Sequence, residues 1–276
     1  MEFVPHSVAA PHAEWIETIF HYKGLEPDHS IERLVPTGHV FVLFELDGYT
    51  RHTYDNVSLQ PNADFHKAWV SGVRDECLSI SAHSDSEMAV VQFKPFGAAP
   101  YLQMPMDQLT NKVVAGADLH AGRLLDLREA LHATSSSEDK FALLTGWLDE
   151  RYETAARPPD RLIEAVNAIN ENPTSNILDA TCAFRGTQKT LIDQFKRFVG
   201  LTPKTYQRIV RFNEVFNEIR EQGTINWAEV AYECGYADQS HFIREFRRFS
   251  GFKPADFLRA GLNNDEGNFF PLDRDG

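Results

Sequence analysis

A block of 24 residues occurs twice in this chain, 51 residues apart and without a gap: Ala180–Pro203 and Ala231–Pro254. Ala180 pairs with Ala231, Gln188 with Gln239, Ile192 with Ile243 and Phe195 with Phe246. Arg197 pairs with Arg248, Phe198 with Phe249, Gly200 with Gly251 and Pro203 with Pro254. Eight identities in 24 positions fall on aromatic, glycine and proline sites among others, where substitution is least tolerated. Self-similarity at a fixed period marks a repeated supersecondary unit, so the C-terminal part of the chain has to pack one local fold twice.

Each copy has the layout of a helix-turn-helix. A short first helix carries a small residue, Ala180 or Ala231, where a second helix must approach closely. A turn follows, with Gly186 in the first copy and Gly235 in the second. Thr187 and Asp238 are N-cap residue types for the second helix. That helix places Leu191, Phe195 and Phe198, or Phe242, Phe246 and Phe249, four and three apart on one face, where they read as core. Gly200 and Gly251 stand where left-handed geometry ends a helix, with Pro203 and Pro254 three residues beyond. The opposite face keeps Gln188, Lys189 and Lys196 in one copy and Gln239, Ser240, Arg244 and Arg247 in the other. Amide, hydroxyl and cationic side chains of this kind suit base edges and phosphates. A solvated charged face is the alternative for Arg244, Arg247 and Arg248; the repetition of the motif favours nucleic acid. His241 reads equally as a contact and as a helix-packing residue.

Between the copies, Thr202-Pro203 starts a helix expected to run to about Glu221, with Tyr206, Ile209, Val210, Phe216 and Ile219 on one face and Gly223 closing it. Roughly 19 residues at about 1.5 Å each make a connector of about 28 Å. That approaches the roughly 34 Å between successive major-groove faces on one side of a duplex, so one chain can address two adjacent grooves.

A net charge of −13 runs against a DNA-binding reading until it is divided. Residues 1–157 carry −11, residues 158–262 carry +1 and residues 263–276 carry −3. The acidity belongs to the N-terminal part and the tail, and a near-neutral segment can present a basic face if its cations cluster.

Residues 1–105 read mainly as strands. The apolar run Gly38–Leu46 ends at Asp47-Gly48, a hairpin signal that predicts Tyr49–Tyr54 as its partner strand. Further runs at Lys67–Val73, Cys77–Ala82 and Met88–Phe93, with Glu14–Tyr22 assigned to strand, suggest a small barrel or sandwich. From Met106 the period becomes helical, with Leu119, Leu124, Leu127 and Leu131 and then Phe141, Leu144, Trp147 and Leu148. Ser135-Ser136-Ser137-Glu138 separates two helices that end at Tyr152. Arg157-Pro158-Pro159-Asp160 is the expected domain boundary, which gives an α+β chain: a β-rich domain over 1–157 with helices from about 106, an all-α domain over 158–262, and an acidic tail over 263–276 expected to be disordered.

The segment Ala228–Pro254 resembles the signature of the AraC/XylS family of bacterial regulators nearly throughout, and the likeness extends over about residues 160–260. It implies seven helices, two helix-turn-helix units joined by a long helix, and control of transcription at promoters. Residues 1–157 resemble the cupin-like sensor domains of one AraC-like subgroup through Gln92–Pro100 and the Leu-rich helix pair. Carried over by position, Gln239, Ser240, His241 and Arg244 fall where the second recognition helix meets bases or phosphates. Lys189, Ile192 and Asp193 fall at the corresponding places of the first. Asp193 departs from the pattern, which has Arg there; a carboxylate repels phosphate but can accept from cytosine N4. The resemblance implies double-stranded promoter or operator DNA as partner and leaves RNA polymerase, a small-molecule effector and a second copy of the chain open. No residue is singled out for an effector.

Other classes fit less well. Cys77, Cys182 and Cys234 are far apart and odd in number, which matches a reducing cytoplasm; Cys182 and Cys234 read as buried apolar residues. No run approaches a membrane span and no secretory leader is visible. No His-x-His pair is present, and His39, His52, His66 and His83 are scattered, so neither a metal nor another cofactor is expected. Phosphate-loop, Rossmann and Gly-x-Ser-x-Gly motifs are missing. A cupin-like small-molecule enzyme with an appended DNA-binding module is the alternative to a regulator.

Overall fold

A computed structural model describes residues 1–119, 123–152, 156–182, 184, 186–221, 226–236, 238–254, 256–257 and 269–273, and the side chains of these apart from 180, 215–221 and 233. The first strands are β1 (Glu2–His6), β2 (Ile16–Leu25), β3 (Ile31–Leu34), β4 (Phe41–Glu45), β5 (Arg51–Tyr54), β6 (Pro61–Phe65), β7 (Ala68–Ser71), β8 (Leu78–Ser81) and β9 (Ser86–Phe93). After α1 (Ala98–Leu102) come β10 (Val113–Ala115), α2 (Leu124–His132) and α3 (Ser137–Tyr152). The C-terminal helices are α4 (Asp160–Glu171), α5 (Ile177–Ala180), α6 (Gln188–Phe198), α7 (Pro203–Glu221), α8 (Trp227–Glu233) and α9 (Gln239–Ser250), followed by β11 (Phe269–Pro271).

The strands form two antiparallel sheets, ordered β1-β2-β9-β4-β7-β10 and β11-β3-β8-β5-β6. Period-two alternation divides the first sheet cleanly. Ala89, Val91 and Phe93 of β9 join a core with residues of α1 to α3 such as Tyr101, Leu131, Leu144 and Leu148. Met88, Val90 and Gln92 face the second sheet across a cavity of about 350 Å³. The helical layer is tied on by polar contacts as well: Arg128 Nε donates to Glu45 O at 2.8 Å, and His132 Nδ1 lies 3.0 Å from Leu46 O.

The predicted hairpin at Asp47-Gly48 does not form. Both edges of β4 are occupied, by β7 and β9, whereas β5 pairs with β6 and β8 in the other sheet. The connection is a crossing between sheets. Asp47 holds its shape by accepting from Tyr49 N at 2.8 Å, Glu87 N at 3.0 Å and Arg51 Nη2 at 2.5 Å. Helix also does not start at Met106. Residues Met106–Gln108 make a single 3-10 turn, Val113–Ala115 pair with β7, and Leu119 precedes α2. Ser136 caps α3, its hydroxyl accepting from Asp139 N at 3.0 Å.

The tail is not disordered throughout. β11 adds to the edge of β3, and the Asp273 carboxylate accepts from Ser30 N at 3.0 Å and Ile31 N at 2.8 Å. Two phenylalanines account for this, because strand alternation points them to opposite sides. Phe270 packs on Phe257 with ring centroids 4.7 Å apart, while Phe269 lines the intersheet cavity. Cys234 is buried, but Cys182 is exposed; the repeat aligns Cys182 with Glu233 rather than with the buried cysteine.

Candidate nucleic-acid interface

Both repeat helices start on the caps that their residue types predict. The Thr187 hydroxyl accepts from Thr190 N at 3.1 Å and the Asp238 carboxylate from His241 N at 2.8 Å. Leu191, Phe195 and Phe198 of α6 and Phe242, Phe246 and Phe249 of α9 are buried. Burying those three positions turns the opposite face of each helix outward. Gln188, Lys189, Asp193 and Lys196 are exposed on α6, with Ile192 half-buried. Gln239, Ser240, Arg244, Arg247 and Arg248 are exposed on α9. Gly200 and Gly251 carry φ values of +86° and +76°, the left-handed geometry that only glycine adopts without strain.

α7 connects the two units over the 19 residues expected. Thr202 caps it, accepting from Thr205 N at 3.1 Å, and Tyr206, Ile209 and Phe212 are buried along it. The side chains of Phe216 and Ile219, and the whole of Gly223, lie outside the described residues. Phe212 is the core residue that the sequence reading missed. It sits between Phe246 and Phe249, with centroids 5.5 and 5.0 Å away.

The second unit is held to α7 by a buried carboxylate. Glu245, 2% exposed, accepts from Arg208 Nε at 2.5 Å and lies 3.2 Å from the Tyr236 hydroxyl. His241 stacks edge-on against Tyr236 and lies 3.7 Å from Glu245, so it packs within the unit at the rim of the exposed face. Glu245 is one residue before the repeated Phe246, on the buried side of the helix; a charged residue there signals a partner on a neighbouring element. The first unit has Gln194 at the equivalent position, and its Oε1 is buried without a hydrogen bond. Its turn also differs. Phe184 stands where the second unit has Gly235 at φ +70°, and is buried under Arg161 at 4.8 Å.

Residues 183–260 match a family model described as a helix-turn-helix domain, and residues 6–115 match a domain of unknown function, DUF6597. The HTH-type transcriptional activator RhaS of Salmonella schwarzengrund is 35% identical over 138 residues, which is 50% of this chain and 42% of that protein. The RhaS protein of Salmonella arizonae is 36% identical over 73 residues, 26% of each chain. Residues 183–260 carry a helix-turn-helix domain, and this part of the chain is similar to HTH-type transcriptional activators. Its match spans less than half the length of these relatives. Among solved structures, ToxT from Vibrio cholerae covers 87% of this chain and 98% of its own, at 12% identity and a TM-score of 0.47.

Of the seven helices expected for an AraC/XylS domain, α4 to α9 are described. Pro254, Asp256 and Phe257 are helical, and residues 258–260 lie outside the described residues. The N-terminal domain touches the C-terminal end of each repeat helix. Thr110 Oγ1 donates to Gly200 O at 2.6 Å just beyond α6. Arg248 of α9 donates through Nη2 to Asp75 Oδ2 at 2.5 Å and through Nε to Asp75 O at 3.1 Å. Arg248 is thereby separated from the other candidate contacts: it is engaged in the protein, whereas Arg244 and Arg247 face solvent. No run of sequence signals this, because the two partners are 173 residues apart. Among the described residues, no group of three or more His, Cys, Asp or Glu side chains is placed to hold a metal ion, and no helix is long and apolar enough to cross a membrane.

Proposed function

We propose that this chain is a sequence-specific regulator of transcription that binds duplex DNA through α6 and α9 and responds to a small molecule through its N-terminal domain. One observation carries the reading. Two N-capped helices expose Gln188, Lys189, Asp193 and Lys196 and Gln239, Ser240, Arg244 and Arg247 at equivalent positions, while their aromatic faces are buried. Helix faces of this kind, joined by a connector helix of 19 residues that spans about 28 Å, suit successive major grooves. The RhaS relatives are named activators, which supports a role at promoters, with RNA polymerase as a further partner and the cytoplasm as the compartment. A second copy of the chain belongs to the same reading wherever the operator is repeated.

Mapping of the DNA bound by the full chain across a genome, followed by titration of a recovered site at several salt concentrations, tests this. A recurrent motif bound with a steep negative dependence of log K on log salt is expected. Random fragments with no shared motif, or binding insensitive to salt, would overturn it.

A further inference from the structure

The last strand of the chain returns to the first domain. β11 runs antiparallel along the edge of β3, with Phe270 opposite Arg33 and Pro271 opposite Glu32. Leu272 N donates to Ile31 O at 2.9 Å. The Asp273 carboxylate closes the pairing, accepting from Ser30 N at 3.0 Å, from Ile31 N at 2.8 Å and from the Ser30 hydroxyl. Phe270, 4% exposed, begins an aromatic column. It runs through Phe257 at 4.7 Å to Phe246, a further 5.3 Å away in the core of α9. β11 is thus hydrogen-bonded to one domain and packed into the other.

The two repeat units are docked by different means, although each ends at a glycine that abuts the N-terminal domain. At Gly200 the approach is to backbone. A Cβ there would lie 2.9 Å from Met106 O and 2.6 Å from Val73 Cγ1, and Thr110 Oγ1 donates to Gly200 O at 2.6 Å. At Gly251 the neighbour is the Arg33 side chain, whose Cδ would lie 3.0 Å from such a Cβ. Arg33 donates through Nε to Ser79 Oγ at 3.3 Å and through Nη2 to Asn56 O at 2.7 Å. It lies 5.2 Å over Phe252, whose ring is 6.4 Å from Phe270. The Arg248–Asp75 pair completes the seam. Long side chains such as Arg33 and Arg248 regain rotamer freedom when a contact opens, so the second unit is the one whose placement depends on β11.

We infer that β11 is an autoinhibitory strap: by fastening the Phe246–Phe257–Phe270 column to β3 it holds the end of α9 on the N-terminal domain and keeps Arg248 on Asp75 instead of on a DNA phosphate. The inference rests on the DNA-binding reading above and adds its regulation. With Nε and Nη2 on Asp75, the charge of Arg248 is neutralised within the protein. Closure of the strap therefore competes with engagement of phosphate by that residue. The competition is reciprocal: the factor by which the strap lowers DNA affinity is the factor by which DNA loosens the strap. The recognition face is left open meanwhile, since Gln239, Ser240, Arg244 and Arg247 are exposed with β11 in place. A strapped chain keeps its base contacts and lacks one phosphate anchor.

The test compares the full chain with a chain lacking 269–276 and with Phe270→Ser, which breaks the aromatic column without changing charge. Hydrogen exchange without DNA comes first. Both variants should speed exchange of the Ser30 and Ile31 amides and of Gly251 N–H, which donates to Arg247 O at the end of α9. An unchanged Gly251 would overturn the strap. Affinity for a recovered genomic site and for a random duplex of equal length is then titrated at several salt concentrations. Each variant should bind both DNAs about two- to fivefold tighter, the worth of one half-exposed ion pair, with a salt slope steeper by about one unit. Adding Asp75→Asn to either variant should bring little further gain, because both changes free the same Arg248. Full additivity, or a gain from the deletion that Phe270→Ser does not share, would count against the strap and assign the effect to charge. DNA added to the full chain should in turn speed exchange at Ser30 and Ile31, and unchanged exchange there would contradict the competition. If no protein prefers the recovered site to the random duplex, the regulator reading fails, and the strap is decided by Gly251 and the random duplex alone.

Discussion

Arg244 and Arg247 sit three residues apart on the exposed side of α9, and from their different offsets from the helix start we propose different tasks for them. Arg244 lies in the first half of the helix, where recognition helices meet base edges. Arg247 lies in its last turn, suited to the phosphate backbone. Arg244→Ala is expected to cost about 1–3 kcal/mol and to relax preference at one base pair. Arg247→Ala should weaken all sequences alike and make the salt dependence shallower by about one unit of slope. Binding profiles over a randomised site distinguish the two; a specificity loss confined to Arg247→Ala would reverse the assignment. Asp193, the α6 counterpart of Arg244, is exposed. Its charge opposes phosphate, so Asp193→Arg should raise affinity for non-specific DNA through added counterion release. If the first unit positions the protein and the second reads, preference within the first half-site will be unchanged by that substitution. Its loss there, with the second half-site intact, would show that Asp193 reads a base.

At the scale of elements, caps and crossings carry the local specification. Thr187 and Asp238 each satisfy an otherwise unpaired N–H at the start of α6 and α9. Alanine at either position should lower stability in urea by about 1 kcal/mol; two neutral substitutions would mean that packing alone sets these helix starts. The β4–β5 crossing depends on a buried charge cluster. Burial pushes Glu45 up to about 7 against the opposing pull of Arg51 and the Trp69 N–H. A carboxyl raised in this way favours the fold while it holds its proton. That contribution is complete below about 4.5, the unfolded value, and is lost as pH rises through about 7. Arg51→Met leaves Glu45 without its cation, and a broken buried pair costs about 3–5 kcal/mol. The loss should therefore be large at pH 8 and much smaller at pH 5, where Glu45 is neutral. Unfolding curves at the two values check this, and an equal loss at both would disprove it.

On the scale of the whole molecule, the two domains meet at the C-terminal ends of α6 and α9. Asn213 Nδ2 of α7 donates to Pro36 O at 3.2 Å, and Gly38 packs so close to Tyr206 that a Cβ there would lie 3.0 Å from its ring. Arg33 lies 5.2 Å over Phe252, and the Arg248–Asp75 pair closes the same seam. That pair is half-exposed and so worth no more than about 1 kcal/mol, a size suited to a contact that opens. Asp75→Asn retains a side chain able to hydrogen-bond while releasing the Arg248 charge. It should raise DNA affinity by up to about fivefold and steepen the salt slope by about one unit. An unchanged slope would place Arg248 outside the DNA footprint.

The amino-acid sequence by itself determined the repeat, both N-caps, the span of α7 and the exposed faces of α6 and α9. These depend on interactions within a few residues, where periodicity, cap chemistry and glycine geometry leave one outcome. The pairing of β4 with β7 and β9 rather than β5, the return of β11 to β3, the burial of Glu45 and Arg51 and the Arg248–Asp75 contact were decided only in the tertiary structure. Each joins elements whose partners have no fixed spacing along the chain. A strand edge accepts any strand of suitable register, and Asp47-Gly48 turns the chain without saying which sheet it enters. Cys182 shows the same limit at one residue: its type suggested burial, and its place in the turn after α5 left it exposed. The intersheet cavity belongs to this second class, because the groups that line it come from both sheets, Phe269 of β11 included.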